Sequence, residues 1–277
     1  MTNVAVVTDR PDHPTLSAYA DLLWARGHHV GFVHPESPPR ELPATDLLLL
    51  KSRTPHALLL GRRAEAVGIP VLNTVDATAA CLDRVEMAQR AVRAGLPFPA
   101  TYALERVADL VVGGRVILKT RHSHRDEPTP VAGTVDELTS NAEGWPDVPL
   151  VAQEFADGDG WDHKFWVIGE RLFAGLRRPP LTPEGRGTKR TVPVAEAAVP
   201  ETWRSLVRAV GPVFGLRIYG VDIVATRRGP LIVDVNAFPG FRGLAGAPEA
   251  LAELTLPETG LPEPSESRGY RVEPWTA

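Results

Sequence analysis

The segment that most constrains the fold is YGVDIVATRRGPLIVDVNAFPGFRG, residues 219–243. Two runs of apolar and largely β-branched residues flank the turn residues RRG, which predicts two antiparallel strands joined in a hairpin. Asp222 interrupts the first apolar run, and Asp234 and Asn236 interrupt the second. These three polar positions are therefore the ones that need a chemical explanation.

The three polar side chains are predicted to converge on one face of the hairpin. Residues two apart share a face of a strand, so Asp234 and Asn236 project together while Val233 and Val235 lie on the other side. Asp222 can lie opposite that pair. Two carboxylates and an amide oxygen are hard ligands that suit Mg²⁺, which usually keeps several waters and bridges to substrate phosphates. Solvated strand-end aspartates are the alternative, but the combined arrangement favours a metal site.

Composition excludes several classes of protein. The 277 residues are 43% hydrophobic and 23% charged, which is typical of a globular chain with one large domain or two to three subdomains. A net charge of −4 gives no sequence-wide basic character for nucleic-acid binding. The single Cys81 excludes an internal disulfide and fits a reducing cytosol. The N-terminus lacks a signal-peptide pattern and no apolar run could span a bilayer, so we expect a cytoplasmic protein without a membrane partner.

The first part of the chain alternates strands and helices. This alternation predicts a small open α/β domain with a parallel sheet over residues 1–75. The turns after its strands lack G-x-G-x-x-G, so a dinucleotide fingerprint is absent. The expected elements are a strand in 1–8, a helix over Leu16–Arg26, strands over His29–Val33 and Asp46–Leu50, a helix over His56–Val67 and a strand at IPVLN.

The pattern changes after residue 75. Asp76 is expected to cap a helix that runs to Leu82, and a second helix is expected over Asp83–Ala94. Val111–Thr120 is read as a hairpin-like segment. The predicted units are the N-terminal α/β domain 1–75, a central subdomain 76–150, a C-terminal subdomain 151–255 that contains the metal hairpin, and a surface or disordered tail 256–277.

Two polar features outside the hairpin allow two interpretations each. Lys119 lies in the otherwise apolar strand RVILKT, either as an edge-strand lysine that reaches solvent or as a phosphate-binding lysine. His122 and His124 lie in the polar loop RHSHRDEPTP, where they are either metal ligands or loop residues that are solvated or near an anion.

The order of these features resembles the ATP-grasp superfamily over about residues 1–245. GVDIVATRRGPLIVDVNAFPGF is similar to the metal hairpin of ribosomal-protein-S6-modification-type, glutamate-ligase-like enzymes, and NAFPGF also resembles inositol trisphosphate 5/6-kinases. QEFADGDGWDHKFWVIGE and NTVDATAACLDRVEMAQRAVRAGLPFPAT resemble two further segments of the superfamily, in the same order. The resemblance implies an α/β (α+β) ATP-grasp fold, in which a small parallel N-terminal domain precedes two α+β subdomains that clasp ATP.

The resemblance also implies cofactors and residue roles. ATP and Mg²⁺ are the expected cofactors. The implied assignments are Asp222, Asp234 and Asn236 for the metal; Lys119, Gln153, Glu154, Phe155, Asp162 and His124 for the nucleotide; Arg177, Arg178 and Lys164 for phosphoryl transfer; and Arg53, Lys189, Arg190 and Arg242 for the substrate. Within the nucleotide set, Lys119 would contact the phosphates, main-chain atoms of residues 153–155 would read the adenine, and Asp162 would lie near the ribose.

Two features depart from the pattern of the superfamily. Arg84 stands where a lysine is frequent, which keeps the charge but changes its geometry. RHSHRDEPTPVAG replaces the glycine-rich phosphate loop, which implies that side chains close over the γ-phosphate. A mobile flap is expected at Leu181–Lys189.

Three functions remain open on the sequence. The first is a carboxylate–amine ligase that forms an amide or peptide bond through an acyl-phosphate on a small-molecule or peptide substrate. The second is a small-molecule kinase, and the third is a nucleotide-binding protein without turnover. The arginines of the substrate set suggest an anionic substrate. No nucleic acid beyond ATP is expected, and a homodimer is left open.

Overall fold

The structure is a computed structural model that describes residues 1–36, 44–124, 127–140, 144–145, 147–179 and 190–256. The helices are α1 Pro14–Ala25, α2 Pro55–Ala66, α3 Val75–Ala80, α4 Arg84–Arg93, α5 Val135–Thr139, α6 Glu201–Phe214 and α7 Ala247–Thr255. The strands are β1 Asn3–Val7, β2 His29–Val33, β3 Leu47–Leu50, β4 Val71–Leu72, β5 Thr101–Leu104, β6 Arg115–Thr120, β7 Val131–Thr134, β8 Leu150–Glu154, β9 Gly158–Ile168, β10 Arg171–Arg177, β11 Val192–Val194, β12 Ile218–Thr226 and β13 Gly229–Ala237.

The N-terminal sheet is parallel, as the alternation of strands and helices predicts. Its strand order is β2-β1-β3-β4, and β1 pairs with both β2 and β3. Strand β3 is the sequence LLLL and is buried throughout, because packed elements cover both faces of the sheet.

The helices that follow the N-terminal sheet begin at side-chain caps. Thr74 caps α3 by accepting a hydrogen bond from the Ala77 amide, so the prediction that Asp76 is the cap is wrong. Asp76 instead lies in the first turn. Asp83 caps α4 by accepting from the amides of Val85 and Glu86, which fits the predicted start of that helix.

The central sheet is antiparallel with the order β5-β8-β6-β7. The predicted hairpin over Val111–Thr120 is wrong, because residues 111–114 form no strand and a left-handed Gly114 leads directly into β6. Strand β6 lies between β8 and β7, so Lys119 does not belong to an edge strand. Strand β8, Leu150–Glu154, also belongs to this sheet. The boundary expected between residues 150 and 151 would therefore separate most of β8 from the sheet in which it pairs.

The C-terminal sheet has the order β11-β10-β9-β12-β13 and contains the hairpin β12–β13. Its two faces take part in different cores. Trp166 and Ile168 pack with the N-terminal sheet, α1 and α7, whereas Phe165 and Val167 pack with α3, α4 and α6. The central sheet packs with α5 in a separate core. The space between the central and C-terminal sheets, across which Lys119 interacts electrostatically with Asp234 and Asp222, is called the cleft below.

Asn73 joins the N-terminal unit to the C-terminal sheet. Its side chain is buried, accepts hydrogen bonds from the amides of Arg217 and Ile218 at 2.9 and 3.0 Å, and donates to the Ile218 carbonyl at 2.6 Å. The end of β4 is thereby fixed to the start of β12.

No helix within the described ranges has the length and apolar character needed to cross a membrane. The flap expected at residues 181–189, Lys189 in particular, and residues 257–277 of the expected tail lie outside the described residues.

Candidate active site

The carboxylates of the hairpin face each other across its two strands. Asp222 is the direct partner of Asp234, and Gly220 is the partner of Asn236. The Asn236 amide donates to Asp234 Oδ2 at 2.8 Å. The predicted convergence of Asp222, Asp234 and Asn236 is therefore present in the structure.

A β-bulge separates the acidic end of the hairpin from its turn. The register shifts after Asp222, because Ile223 pairs with Ile232 and leaves Val233 without a partner of its own. Val235 is buried, whereas Val233, the residue without a partner, is only partly buried. A bulge bends a strand and redirects its side chains, and this one lies directly beside the aspartate pair.

Lys164 neutralises part of the acidic face. It lies on β9 opposite Asp222, and its ammonium forms an ion pair with Asp222 Oδ2. The same ammonium is 3.8 Å from Asp162 Oδ2. Burial raises the pKa of Asp162 and the Asp222 carboxylate adds to the rise, while Lys164 opposes it. Lys164 thus places one positive charge between Asp162 and Asp222.

The donor set of the hairpin fits Mg²⁺ better than a metal that needs a full protein cage. No group of three or more His, Cys, Asp or Glu side chains in the described part of the chain could hold a metal. The hairpin offers two carboxylates and the Asn236 amide oxygen, which accepts a hydrogen bond from Arg53 Nη1 at 3.3 Å. Mg²⁺ is commonly held by one or two carboxylates together with waters and phosphate oxygens, and Asp222, Asp234 and Asn236 would hold it here.

Lys119 lies on the central sheet and faces the acidic hairpin. Its ammonium donates to Gln153 Oε1 at 2.8 Å, and the Gln153 amide nitrogen lies 3.4 Å from Thr101 Oγ1. Burial lowers the pKa of Lys119, and the carboxylates of Asp234 and Asp222 oppose the shift. The two sheets therefore place a partly buried ammonium and two carboxylates on opposite sides of one cleft.

Arg84 forms a second cationic group in this cleft. It donates to Glu127 in a bidentate ion pair at 2.7 and 2.9 Å, and to the Thr120 carbonyl at 2.7 Å. Burial acts to raise the pKa of Glu127, but the Arg84 guanidinium outweighs it and the net shift is downward. Arg84 Nε is buried and makes no hydrogen bond. Glu127, which belongs to the loop that replaces the glycine-rich segment, is thus the anionic partner of Arg84.

The expected adenine hinge has fewer available amides than the sequence suggested. The amide of Glu154 donates to the Ala100 carbonyl at 2.8 Å, and the amide of Phe155 donates to the Arg115 carbonyl at 3.0 Å. Gln153 is buried and its side chain is engaged with Lys119. Base recognition by this segment therefore requires main-chain atoms other than these two amides.

The remaining predicted residues differ in their contacts and exposure. Arg177 lies opposite Asp162 and donates to Thr191 Oγ1 at 3.0 Å. Arg178 is exposed, with its guanidinium 3.8 Å from the centre of the Trp161 ring, so it stacks on β9. His124, Arg190 and Arg242 are exposed as well.

Two sets of polar residues were missed by the sequence reasoning. Glu127 was read only as part of a polar loop, although its position in the segment that replaces the glycine-rich loop was a signal. Lys51 and Arg242 both lie close enough to His13 to act on its pKa. Lys51 is the first residue after strand β3, and Arg53 is the third. The position of charged residues at the carboxyl end of a parallel strand could have identified this group.

Comparison with known proteins supports the same assignment of fold. No family model matches the chain. A protein named probable alpha-L-glutamate ligase 2 from Shewanella baltica is 24% identical over 272 residues, covering 88% of this chain and 90% of the relative. A probable alpha-L-glutamate ligase from Parasynechococcus marenigrum is 29% identical over 218 residues, covering 75% of this chain and 47% of the relative. Both names agree with the predicted class of enzyme.

Solved structures with the same architecture cover almost the whole chain. The RimK domain ATP-grasp protein from Sphaerobacter thermophilus superposes with a TM-score of 0.73 at 20% identity, covering 91% of this chain and 99% of that one. The macrocyclase MdnC from Microcystis aeruginosa, bound to the precursor peptide MdnA, gives a TM-score of 0.68 at 14% identity, covering 92% and 100%. The predicted fold is confirmed: the chain has the ATP-grasp fold, and its sequence is similar to those of proteins named alpha-L-glutamate ligases.

Proposed function

We propose that the protein is an ATP- and Mg²⁺-dependent carboxylate–amine ligase that forms an amide or peptide bond. The observation that carries the proposal is that Asp222 and Asp234 lie on one side of the cleft and the partly buried Lys119 lies on the other, within electrostatic range of both. Phosphoryl transfer depends mainly on charges that are fixed around the transferring group, and this cleft supplies charges of both signs.

Nucleotide binding follows from the charges of the two sheets. Lys119 and Arg84 lie on the side of the central sheet, where they can contact phosphate oxygens. Asp222, Asp234 and Asn236 would hold Mg²⁺, which neutralises charge on the phosphates of bound ATP. Lys164 lies beside the metal ligands and can donate to a phosphate oxygen once Asp222 is otherwise neutralised. ATP would be held between the central and C-terminal sheets, with the N-terminal domain bordering the substrate.

The proposed reaction needs no protein nucleophile. An oxygen of the substrate carboxylate attacks the γ-phosphorus of ATP, which breaks the bond to the β-phosphate oxygen and gives ADP and an acyl-phosphate. The nitrogen of an amine then attacks the acyl carbon, phosphate leaves, and the nitrogen loses a proton. Arg177 lies opposite Asp162 in the β9–β10 pair, and contact with the transferring group is the role proposed for it.

The relatives support a carboxylate as the acceptor of the phosphoryl group. Glutamate ligase is the activity in the names of the sequence relatives, and MdnC and the ATP-grasp ligase PsnB were solved with precursor peptides. PsnB, which has a TM-score of 0.65 at 18% identity and covers 92% of this chain and 99% of that one, was also solved with Mg and ADP. We therefore propose a small-molecule or peptide substrate that carries a carboxylate.

A product analysis tests the proposal. The protein is incubated with ATP, Mg²⁺ and pools of amino acids and of acidic peptides, and ADP and product masses are followed. ADP together with a product that is one water lighter than its two substrates is expected. A stable phosphorylated alcohol would instead show the kinase that NAFPGF leaves open. ATP binding without ADP formation in any pool, under conditions where a known ligase turns over, would contradict an enzyme.

A further inference from the structure

The strand order of the parallel sheet reverses at β1 and β3, and the space outside the carboxyl ends of these two strands is called the crevice below. The connection through α1 places β2 on one side of β1, and the next connection places β3 on the other side. Ligands of open parallel sheets bind where the strand order reverses in this way, outside the carboxyl ends of the strands. Thr8 and Lys51 are the first residues beyond these ends.

Basic side chains from separate parts of the chain meet at this crevice. Lys51 follows β3, Arg10 follows β1, and Arg242 belongs to the loop after the metal hairpin. Thr15 Oγ1 lies 3.4 Å from the Phe241 carbonyl, which fixes this loop to the start of α1. Lys51 Nζ is 5.6 Å from the centre of the Phe238 ring on the same loop. The crevice is therefore bordered by the N-terminal domain and by the segment that leaves the metal site.

Three of the four charged groups that act on the pKa of His13 are cationic. Burial lowers its pKa, and Lys51, Arg242 and Arg10 lower it further, while only Asp12 raises it. Its Nδ1 atom is buried and has no hydrogen-bond partner. His13 also precedes α1, whose first turn contains neither a side-chain cap nor an acidic residue. The positive end of the helix dipole adds to the same potential.

The crevice is linked to the metal site by Arg53. Its guanidinium donates to Asn236 Oδ1 at 3.3 Å, and Arg53 follows Lys51 by two residues on the segment after β3. A substrate that reaches from the metal hairpin toward the N-terminal sheet would therefore pass Arg53 first and Lys51 next.

We propose that Lys51, His13, Arg242 and Arg10 form a subsite for a second anionic group of the substrate, a carboxylate or a phosphate ester, separate from the carboxylate that is activated beside the metal hairpin. The inference rests on the proposed ligase function, and it narrows the substrate to compounds with at least two anionic groups. Arg53 would direct the reacting end of such a compound toward Asn236.

Direct binding tests the subsite without turnover. Full-length protein is titrated calorimetrically with glutarate, with inorganic phosphate and with butyrate, in the absence of ATP. Lys51→Gln and Arg242→Gln are each expected to weaken binding of the preferred dianion by roughly 10- to 100-fold, the equivalent of one charged hydrogen bond. Arg62→Gln is the matched control, because Arg62 is an exposed residue of the same domain with an exposed partner, Asp76.

The relative affinities for glutarate, phosphate and butyrate show which anionic group the subsite prefers, and they can also contradict the subsite. Tighter binding of glutarate than of phosphate identifies a dicarboxylate, and the reverse order identifies a phosphate ester. Binding that survives Lys51→Gln but is lost in Lys119→Gln would place the anion at the nucleotide site and overturn the inference. Equal binding of butyrate and glutarate, or an equal loss in Arg62→Gln, would overturn it as well.

A parallel titration with Mg²⁺ and ADP separates this inference from the proposed function. Binding of Mg·ADP by the wild-type protein without any binding of glutarate or phosphate rejects the subsite alone. Saturable binding of a dianion that depends on Lys51, in a protein that does not bind Mg·ADP, rejects the proposed function and retains the subsite.

Discussion

Replacement of Lys164 should have opposite effects on the stability of the metal-free protein and on its response to Mg²⁺. The side chains of Lys164 and Asp222 are only 13% and 22% exposed, so their ion pair is weakly screened by solvent. A hydrogen bond between charged groups contributes about 1.5–3 kcal/mol, and removal of one partner leaves the other charge buried without compensation. We therefore expect Lys164→Met to lower the free energy of unfolding by about 2–3 kcal/mol.

The same loss should favour Mg²⁺, because the ammonium competes with the metal for Asp222. About 2 kcal/mol corresponds to at most a roughly 30-fold gain in Mg²⁺ affinity. For a chain of this size, each kcal/mol shifts the melting temperature by about 2–4 °C. The metal-free variant should thus melt about 4–12 °C below the wild type, and added Mg²⁺ should restore more stability to the variant than to the wild type.

Thermal unfolding with increasing MgCl₂, at constant ionic strength, measures both effects. Arg171→Met is the matched control, because Arg171 pairs with Glu253 at 3.6 Å with both side chains about half exposed. Exposed pairs of this kind contribute about 0–1 kcal/mol, and the control should show no altered response to Mg²⁺. A Lys164→Met protein that melts like the wild type, or that gains less from Mg²⁺, would refute the competition between lysine and metal.

Three further changes test other parts of the structure. Asn73→Ala should lower the free energy of unfolding by about 2–4 kcal/mol in urea denaturation, because it leaves buried main-chain groups at the start of β12 without partners; a loss below about 0.5 kcal/mol would contradict the proposed link between units. Glu127→Gln removes the anionic partner of Arg84 and should weaken thermal stability while it tightens Mg·ADP binding in calorimetry, since the guanidinium is released toward the phosphates; weaker Mg·ADP binding would contradict that role. Asp162→Asn should stabilise the metal-free protein at pH 7 and have no effect below the ordinary pKa of aspartate. The raised pKa of Asp162 means that the folded state disfavours the charged carboxylate, so this residue destabilises the wild type once the pH exceeds the ordinary pKa. Urea titrations at several pH values measure the effect, and stabilisation that does not depend on pH would contradict its origin in charge.

The local pattern of the sequence was sufficient for most individual elements. Strand β2 at His29–Val33 has the expected bounds, and helix α4 at Arg84–Arg93 lies within the expected Asp83–Ala94, because a short apolar run and a capping aspartate are local signals. The pairing of Asp222 with Asp234 also followed from local pattern, since a short turn brings the two strands of a hairpin into register.

Features that depend on long-range contacts could not be read in this way. The bulge at Val233 has no period-two signal, and it leaves this valine without a partner on β12 and only partly buried. Helix α4 belongs by sequence order to the predicted central unit, yet Met87 and Ala91 pack in the core of the C-terminal sheet. The partnership of Arg84 with Glu127 joins residues 43 positions apart, and no local rule places them together.

The central claim is that the hairpin binds the Mg²⁺ of Mg–ATP, and the most direct measurement compares Mg·ADP binding in wild type and Asp234→Asn. Asp234 accepts a hydrogen bond from Asn236, which an asparagine oxygen can also accept, so the fold should be retained. Asp109→Asn, at an exposed aspartate on the central unit, is the control for loss of one charge.

We expect the wild type and Asp109→Asn to bind ADP more tightly with Mg²⁺ than with EDTA. In Asp234→Asn, the affinity for ADP should be the same with Mg²⁺ as with EDTA. The circular dichroism and the melting curve of this variant should stay close to those of the wild type. ADP formation should be lost in the same variant. An Asp234→Asn protein that keeps the full Mg²⁺-dependent gain in ADP affinity would contradict the assignment of the hairpin as the metal site.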